Sequence, residues 1–550
     1  MQTPSHTHIS TPEAYPTRCC RGAAFWVYLL LSLGVLGYVG LLTGNRAEKL
    51  DADAWEHHRA VLAMSQEMWE PGNPTYAGEE PSIRYSPYTI ALAQIVRSTG
   101  IDAYDALSGA AVFNTLLLLI AVWCWLRAYG MQAAAPLVLL SVLFLYGTPP
   151  GYANSLALSD LPWHQVNPSA LAMPLMILAW AWLYRAKGLG LIAFTVVTSV
   201  LLAGSVLSHG MSGVLGAFGL FITAVASDRN RVAKLIATFV TCGIGFGLAA
   251  AWPWYDFLYA VTKSPDKWYW YNPAIFKMML FSWCLPAFIA SLAALPMRDK
   301  PFVRTALLAT AGLLCVTFAG AVAGSPTLAR LPLAGLIFPQ AAVGVFIYSI
   351  GVSCPKTWFA RLKQMFDRDR AVMSRALVET TVVGLVVVLA LPNFWMTLRE
   401  PHLARKWVAK LTHKEDKQPH NWARYDALLT PNIKPNDVVL AEPLTGWPVP
   451  SFNGRVVSAL HLEFFSPGQF ERLEDTTKFF SSDTSHADRV SLIQQYGVKW
   501  LLLDRELLPK PVFDELFSPD AVTADDGRLV LIDAGRWAQQ ANKAETRTPQ

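Results

Sequence analysis

The sequence predicts a polytopic α-helical membrane protein of about eleven spans with a C-terminal soluble α/β domain. Three observations carry this. Charged residues make up 15% of the 550 residues and hydrophobic ones 53%, against roughly 25% charge in soluble proteins. The charge is unevenly spread: residues 397–550 hold 19 Lys/Arg and 21 Asp/Glu, close to half of the charge in the whole chain. The basic residues before that break alternate from loop to loop. So little charge cannot cover a soluble globule of this size, and so much apolar content excludes a disordered chain. A net charge of +5 without a basic block gives no support to nucleic-acid binding.

A membrane-spanning helix needs about 20 mostly apolar residues. The apolar runs are 24–43, 105–126, 133–148, 168–184, 189–207, 211–227, 232–251, 275–295, 303–323, 331–351 and 376–396. With residues 1–23 in the cytoplasm, the short inner segments carry 17 Lys/Arg, whereas the short outer ones carry only Lys263, Lys267 and Arg330. Positive charge stays on the inner side, so this asymmetry supports both the orientation and the run count. An odd number of spans puts 397–550 outside. The expected location is a bacterial inner membrane, with the N-terminus cytoplasmic and the C-terminal domain periplasmic or extracellular.

The seven cysteines, Cys19, Cys20, Cys124, Cys242, Cys284, Cys315 and Cys354, show neither a disulfide framework nor zinc spacing. Cys19 and Cys20 precede the first run and read as inert thiols rather than lipidation sites.

Two outer loops stand out. The first, 44–104, has apolar residues at helical spacing over 55–69 and again over 88–98, as in helices lying along a membrane surface. The second, 252–274, carries Trp252, Trp254, Tyr255, Trp268, Tyr269, Trp270 and Tyr271. It reads first as an interfacial aromatic belt and second as a platform for a sugar or lipid head group. In the C-terminal domain, 438–441, 455–459, 499–503 and 529–533 read as buried strands, and 469–480 and 487–496 as helices, the latter closed by Gly497. No Gly-rich phosphate loop or nucleophile motif is present.

Charge inside a membrane is costly, so its position is informative. Here it avoids the span centres and gathers at their outer ends. The first cluster is Asp51-Ala52-Asp53-Ala54-Trp55-Glu56-His57-His58-Arg59. A carboxylate there can take a proton from an acceptor or help hold a metal ion. The plain structural alternative is a helix start, with Asp53 as N-cap and Glu56 three residues on in a capping box. The second cluster is Ser159-Asp160-Leu161-Pro162-Trp163-His164, where Asp160 and His164 would face the first cluster across a cleft; an ordinary loop is the alternative. The third is Ser208-His209-Gly210, where His209 would meet a phosphate or satisfy a helix end. Arg84, Tyr85, Lys263 and Arg330 complete the outer candidates, the cations serving to bind a phosphate-linked lipid.

Together these features resemble the GT-C class of glycosyltransferases, multi-spanning enzymes that use polyprenyl-phosphate-linked sugars. The best local likeness is Asp53-Ala54-Trp55-Glu56-His57-His58-Arg59-Ala60, similar to the segment of oligosaccharyltransferase catalytic subunits in which an Asp precedes aromatic residues and then Arg-Ala. The resemblance implies a catalytic Asp53, with Asp51 beside it, and gives Asp160 the second acidic position. His57, His58, Arg84, Tyr85, His164, His209, Lys263 and Arg330 are then substrate-binding candidates. It implies a polyprenyl-phosphate-sugar donor, a glycan, lipid or protein acceptor, and no organic cofactor. A divalent cation, Mg or Mn, would rest on Asp53 and Asp160. The sequence departs from the oligosaccharyltransferases in three places. Trp163 and His164 follow Asp160 where a further acidic residue is expected. The stretch 324–330 lacks their Glu. Thr445-Gly446-Trp447-Pro448 stands in place of a Trp-Trp-Asp signature. A single-sugar transferase is the expectation. A transporter or flippase for a lipid-linked sugar is the main alternative, and a non-catalytic scaffold the third.

Overall fold

A computed structural model describes residues 18–43, 53–147 apart from 77 and 79, 155–263, 283–323, 326–352, 381, 384–395, 421–460 apart from 459, and 468–545. Among the described residues, helical segments fall within all eleven apolar runs. Six are long and apolar enough to cross a membrane: Gly22–Thr43, Ala103–Ala128, Leu189–Ser208, Arg231–Ala250, Pro301–Gly320 and Leu331–Ile350. Shorter apolar helices fall at Gln132–Phe144, Gly210–Ala226, Leu285–Met297 and Gly384–Trp395, and Pro168–Arg185 fills the fourth run. The tenth run is not one regular helix. Pro326–Ala334, with Pro332 inside it, gives way at Gly335-Leu336 to Ile337–Ile347. A Cβ on Gly335 would meet Leu313 at 2.4 Å, so this break is where the run packs tightly on Pro301–Ala323.

The elements that position the site are α1 (Arg18–Thr43), α2 (Asp53–Gln66), α3 (Pro87–Thr99), α4 (Ala103–Ala128), α5 (Ala135–Phe144), the turn α6 (Leu161–His164), α7 (Pro168–Arg185), α8 (Leu189–Ser208) and α9 (Gly210–Ala226). The helices expected in the first loop are α2 and α3. Ser86 caps α3 by accepting from the Thr89 N–H at 3.2 Å, Pro87 opens its first turn, and Gly100, at φ 70°, closes it. In the body, α7 packs against α9 because α9 is glycine-rich there. A Cβ at Gly216 would lie 2.4 Å from Met176, and one at Gly219 would lie 2.2 Å from Trp180. The Trp180 indole then donates to the Gly216 carbonyl at 2.9 Å. Trp125, Trp180, Phe302 and Phe338 stack into the centre of the body.

The C-terminal sheet has order β2-β1-β3-β5-β4, from β1 (Val438–Ala441), β2 (Arg455–Val456), β3 (Trp500–Asp504), β4 (Val522–Asp525) and β5 (Leu529–Asp533). β1 runs parallel to β2 and β3, and β5 antiparallel to β3 and β4. The four expected strands are β1, β2, β3 and β5. The expected helices are Gln469–Phe479 and His486–Gln495, with Gly497 at φ 59° after the second. β4 is an addition: its alternate residues face solvent, so it has no apolar run to announce it.

The first loop completes the sheet edge. Val456 N–H donates to the Thr75 carbonyl at 2.9 Å, and Tyr76 bridges Val456 in parallel. Trp55 stacks on Trp422 with centroids 5.5 Å apart, and Phe452 lies 4.6 Å from Trp422. The Ser451 hydroxyl donates to the Trp55 carbonyl at 3.0 Å. The apolar core of the body runs through this seam into the C-terminal domain, reaching Tyr425, Phe452 and Trp500.

Candidate active site

Asp53 and His57 lie one turn apart on α2 and therefore on one face of it. The second outer loop brings His164 to them. Two bonds fix that loop: the Asn114 amide donates to the Gln165 carbonyl at 2.8 Å, and the Tyr88 hydroxyl donates to the Val166 carbonyl at 2.6 Å. The third contributor is His209, between α8 and α9. Its Nδ1 accepts from the Ser212 N–H at 3.2 Å and lies 2.8 Å from Ser212 Oγ, so it caps α9. An accepting Nδ1 leaves the ring proton on Nε2.

Electrostatics ties these residues together. Asp53 acts on His57, His164 and His209 alike, in each case favouring the imidazolium. Burial opposes it and wins. It pulls His57 down to about 3 and His164 and His209 to about 4, with Arg84 adding to the effect on His57 and His209. All three imidazoles are therefore neutral near pH 7. Three outer segments thus converge on one carboxylate.

Beside His164 lies a small, partly open cleft. Most of its exposed wall is apolar, from residues such as Leu118, Leu156, Met173 and Pro174, with Ser155, His164, Gln165, Ser169 and Ser212 as polar points. A mostly apolar cleft with a few polar groups is the usual form of a ligand site.

The other expected residues fall into place around this centre. Asp160 is buried in the same turn as His164; its Oδ1 accepts from Ser159 Oγ at 3.1 Å, and its charge reaches Tyr146. His58 is buried on the seam side, edge-on to Trp422 at 5.5 Å. Arg84 pairs with Glu56, whose other oxygen accepts from the Trp447 indole at 3.0 Å. Glu56 thus serves Arg84 and Trp447, a role the capping-box reading did not foresee. The Tyr85 hydroxyl donates to the Gly72 carbonyl at 2.6 Å and holds the first loop together. Asp51 lies outside the described residues, as do the side chains of Lys263 and Arg330; the backbone of Arg330 is helical. Of the aromatic loop, Trp252 and Trp254 donate to the carbonyls of Tyr85 and Met68, each at 2.9 Å. They act as struts under the first loop; Trp268 to Tyr271 lie outside the described residues.

Mg²⁺ and Mn²⁺ favour several oxygen ligands. Among the described residues no group of three His, Cys, Asp or Glu side chains is arranged to hold a metal ion, and Asp51 lies outside them.

No protein-family model matches the sequence, and no curated protein matches it. Solved structures do. ArnT from Cupriavidus metallidurans in the apo state aligns with a TM-score of 0.54 at 13% identity, over 93% of this chain and 98% of that one. The chain has a GT-C-like fold. ArnT from Cupriavidus metallidurans bound to undecaprenyl phosphate aligns over the same shares with a TM-score of 0.50 at 13% identity. The archaeal oligosaccharyltransferase AglB from Archaeoglobus fulgidus, in complex with an inhibitory peptide and a dolichol-phosphate, aligns at 0.49 and 12% identity, over 92% of this chain and 75% of that one. The GT-C-like fold agrees with the multi-pass membrane architecture expected from the sequence.

Proposed function

We propose that this chain is a GT-C-type membrane glycosyltransferase. It moves a sugar from a polyprenyl-phosphate donor to a glycan, lipid or protein acceptor on the extracytoplasmic side, with inversion at the anomeric carbon. The observation that carries the reading is the convergence of Asp53 with His57, His164 and His209 beside a mainly apolar cleft. The fold supports it, since ArnT of the same fold was solved with undecaprenyl phosphate.

Asp53 takes the proton of the acceptor hydroxyl. The acceptor oxygen bonds to the anomeric carbon as the bond from that carbon to the phosphate oxygen breaks. The electron pair leaves with the lipid phosphate. His164 and His209, neutral and able to donate, meet the charge that develops there, with Arg84 adding a positive field. The cleft beside His164 takes the first part of the prenyl chain. On this reading 24–396 is the membrane body, 397–550 an extracytoplasmic domain, and the host membrane a bacterial inner membrane.

The test is transfer by the purified full chain in nanodiscs, supplied with radiolabelled polyprenyl-phosphate sugars and membrane extract as acceptor. Asp53→Asn should lose about 10²-fold or more in turnover, the scale of a positioned general base. Donor movement across the bilayer without consumption of any donor would sink this reading and favour the transporter.

A further inference from the structure

The seam between the first loop and the C-terminal domain holds two buried arginines that the proposed reaction does not use. Arg59, on α2, is 3% exposed, and Arg455, on β2, is 8% exposed. Their partners are neutral. Arg59 Nε donates to the Pro74 carbonyl at 3.1 Å, and Arg455 Nε to Asn436 Oδ1 at 3.2 Å. Arg455 Nη1 is buried without a hydrogen bond.

Arg59 binds the Pro74 carbonyl, and the next carbonyl, that of Thr75, accepts from the N–H of Val456 beside Arg455, so both arginines lie at one seam; after burial, the charge of Arg455 is the main influence holding Arg59 down to about 9. Among the described residues no carboxylate acts on either; Tyr85 is the group that favours the charged form of both. The neighbouring acids are committed elsewhere: Glu56 to Arg84 and Trp447, and Asp437 to Lys499 and Trp500. The other buried arginine among the described residues, Arg489, does not behave this way. It is fully buried and pairs with Glu515, while its remaining donors meet the carbonyls of Phe479 and Ser481.

A buried charge is costly unless paired, and two like charges together are costlier still. An anion between them removes both penalties. Two guanidinium forks from different elements need more acceptor oxygens than the two of a carboxylate. A phosphate group offers three or four, and its two negative charges match two guanidinium charges.

We propose that Arg59 and Arg455 form a phosphate-binding site at the seam between the first loop and the C-terminal domain, distinct from the Asp53 centre and clamping the two parts together. The bound group is a phosphomonoester or inorganic phosphate. The site stands whether or not the chain transfers a sugar, because it is read out by binding.

The full chain is reconstituted in phosphatidylcholine nanodiscs without phosphate. Its melting is followed by tryptophan fluorescence, to which Trp55 and Trp422 in the seam contribute. One arm titrates inorganic phosphate against sodium chloride at matched ionic strength. The other adds phosphatidic acid to the nanodiscs. A saturable rise in Tm with phosphate assigns the site to the free anion; a rise only with phosphatidic acid assigns it to a lipid head group. Arg455→Lys, which keeps the charge and loses the fork, should weaken the midpoint about tenfold or more, and Arg455→Met should abolish the response. If Arg455→Met does not fold, Arg455→Lys and the wild-type titration still decide. No Tm response of the wild type in either arm overturns the proposal. So does a response that Arg455→Lys leaves unchanged.

Discussion

The indole Nε1 of Trp447 donates to Oε1 of Glu56 at 3.0 Å, across 391 residues of sequence, while Glu56 Oε2 holds Arg84. The C-terminal domain therefore reaches Arg84 through a single carboxylate. Arg84 in turn acts on His57 and His209. Trp447→Phe keeps an aromatic ring and removes the donor, so it should cost about 1.5–3 kcal/mol, the range for a hydrogen bond to a charged group. Glu56→Gln should cost a similar amount, and the double variant less than the sum. Thermal unfolding of the four proteins measures the coupling, and additive losses would show that the Trp447–Glu56 contact carries no energy.

The seam also bears on dissection of the chain. An isolated fragment from residue 400 onward would expose Trp422, Phe452 and the edge of β2, which α2 and Thr75 cover in the full chain. We expect it to keep mixed α/β circular dichroism, to bind a hydrophobic dye, and to lack transferase activity. Adding a peptide of residues 51–77 should reduce dye binding. A fragment that transfers sugar unaided would move the chemistry out of the membrane body.

Much of this was legible because local chemistry agreed with tertiary context. The strands at Val438–Ala441 and Leu529–Asp533 announced themselves as short apolar runs and are buried as expected. β4 did not, because every second residue in it is exposed to water and none is fully buried. Asp53, His57, His164 and His209 were each noticeable as polar residues at the outer ends of spans, where membrane cost makes them informative. Their convergence was not, since it depends on Asn114 and Tyr88 pinning a loop some 50 to 80 residues away. The pairing of Glu56 with both Arg84 and Trp447, and the placing of Arg59 and Arg455 at one seam, join distant parts of the chain that no local pattern connects.

The proposed orientation rests on the basic asymmetry of the loops. Cysteines introduced at Ser98 and Ser482, both exposed, should react with impermeant maleimide from outside intact cells. One at Asp299, also exposed, should react only after permeabilisation. Ser451 is unsuitable, since it is buried against Trp55. Labelling at Asp299 in intact cells would invert the topology and put the Asp53 centre on the wrong side.

The carboxylates can be separated by parallel substitutions. Asn caps helices about as well as Asp, so a structural Asp53 should tolerate Asn with a loss on the order of 1 kcal/mol or less. Asp51→Asn should leave turnover within about threefold if the base is Asp53 alone. Asp160→Asn should act through folding of its turn, and His164→Gln directly on turnover, by about 10-fold or more. Chelation by EDTA should have little effect. Equal loss from Asp51→Asn and Asp53→Asn, with EDTA inhibition reversed by Mn²⁺, would instead point to a two-carboxylate cation site.

The buried histidines make stability pH-dependent in a defined direction. Each has a folded pKa below the ordinary imidazole value of about 6.5, at about 3 for His57 and about 4 for His164 and His209. Below pH 6.5 the unfolded chain takes up protons that the folded chain refuses. Their stability contribution is therefore complete above about 6.5 and is lost as pH falls toward 4, at about 1 kcal/mol per pH unit for each histidine. Tm measured from pH 7.5 down to 4.5 in nanodiscs should be level at first and then decline. Carboxylates add to that decline at its lower end, so the diagnostic quantity is the difference between proteins. His164→Gln, which cannot protonate, should be less stable than wild type at pH 7.5 yet lose less Tm between 6.5 and 5. Parallel curves for wild type and variant across that window would mean that His164 is already solvated and free to titrate, and the neutral donor assigned to it would have to be given up.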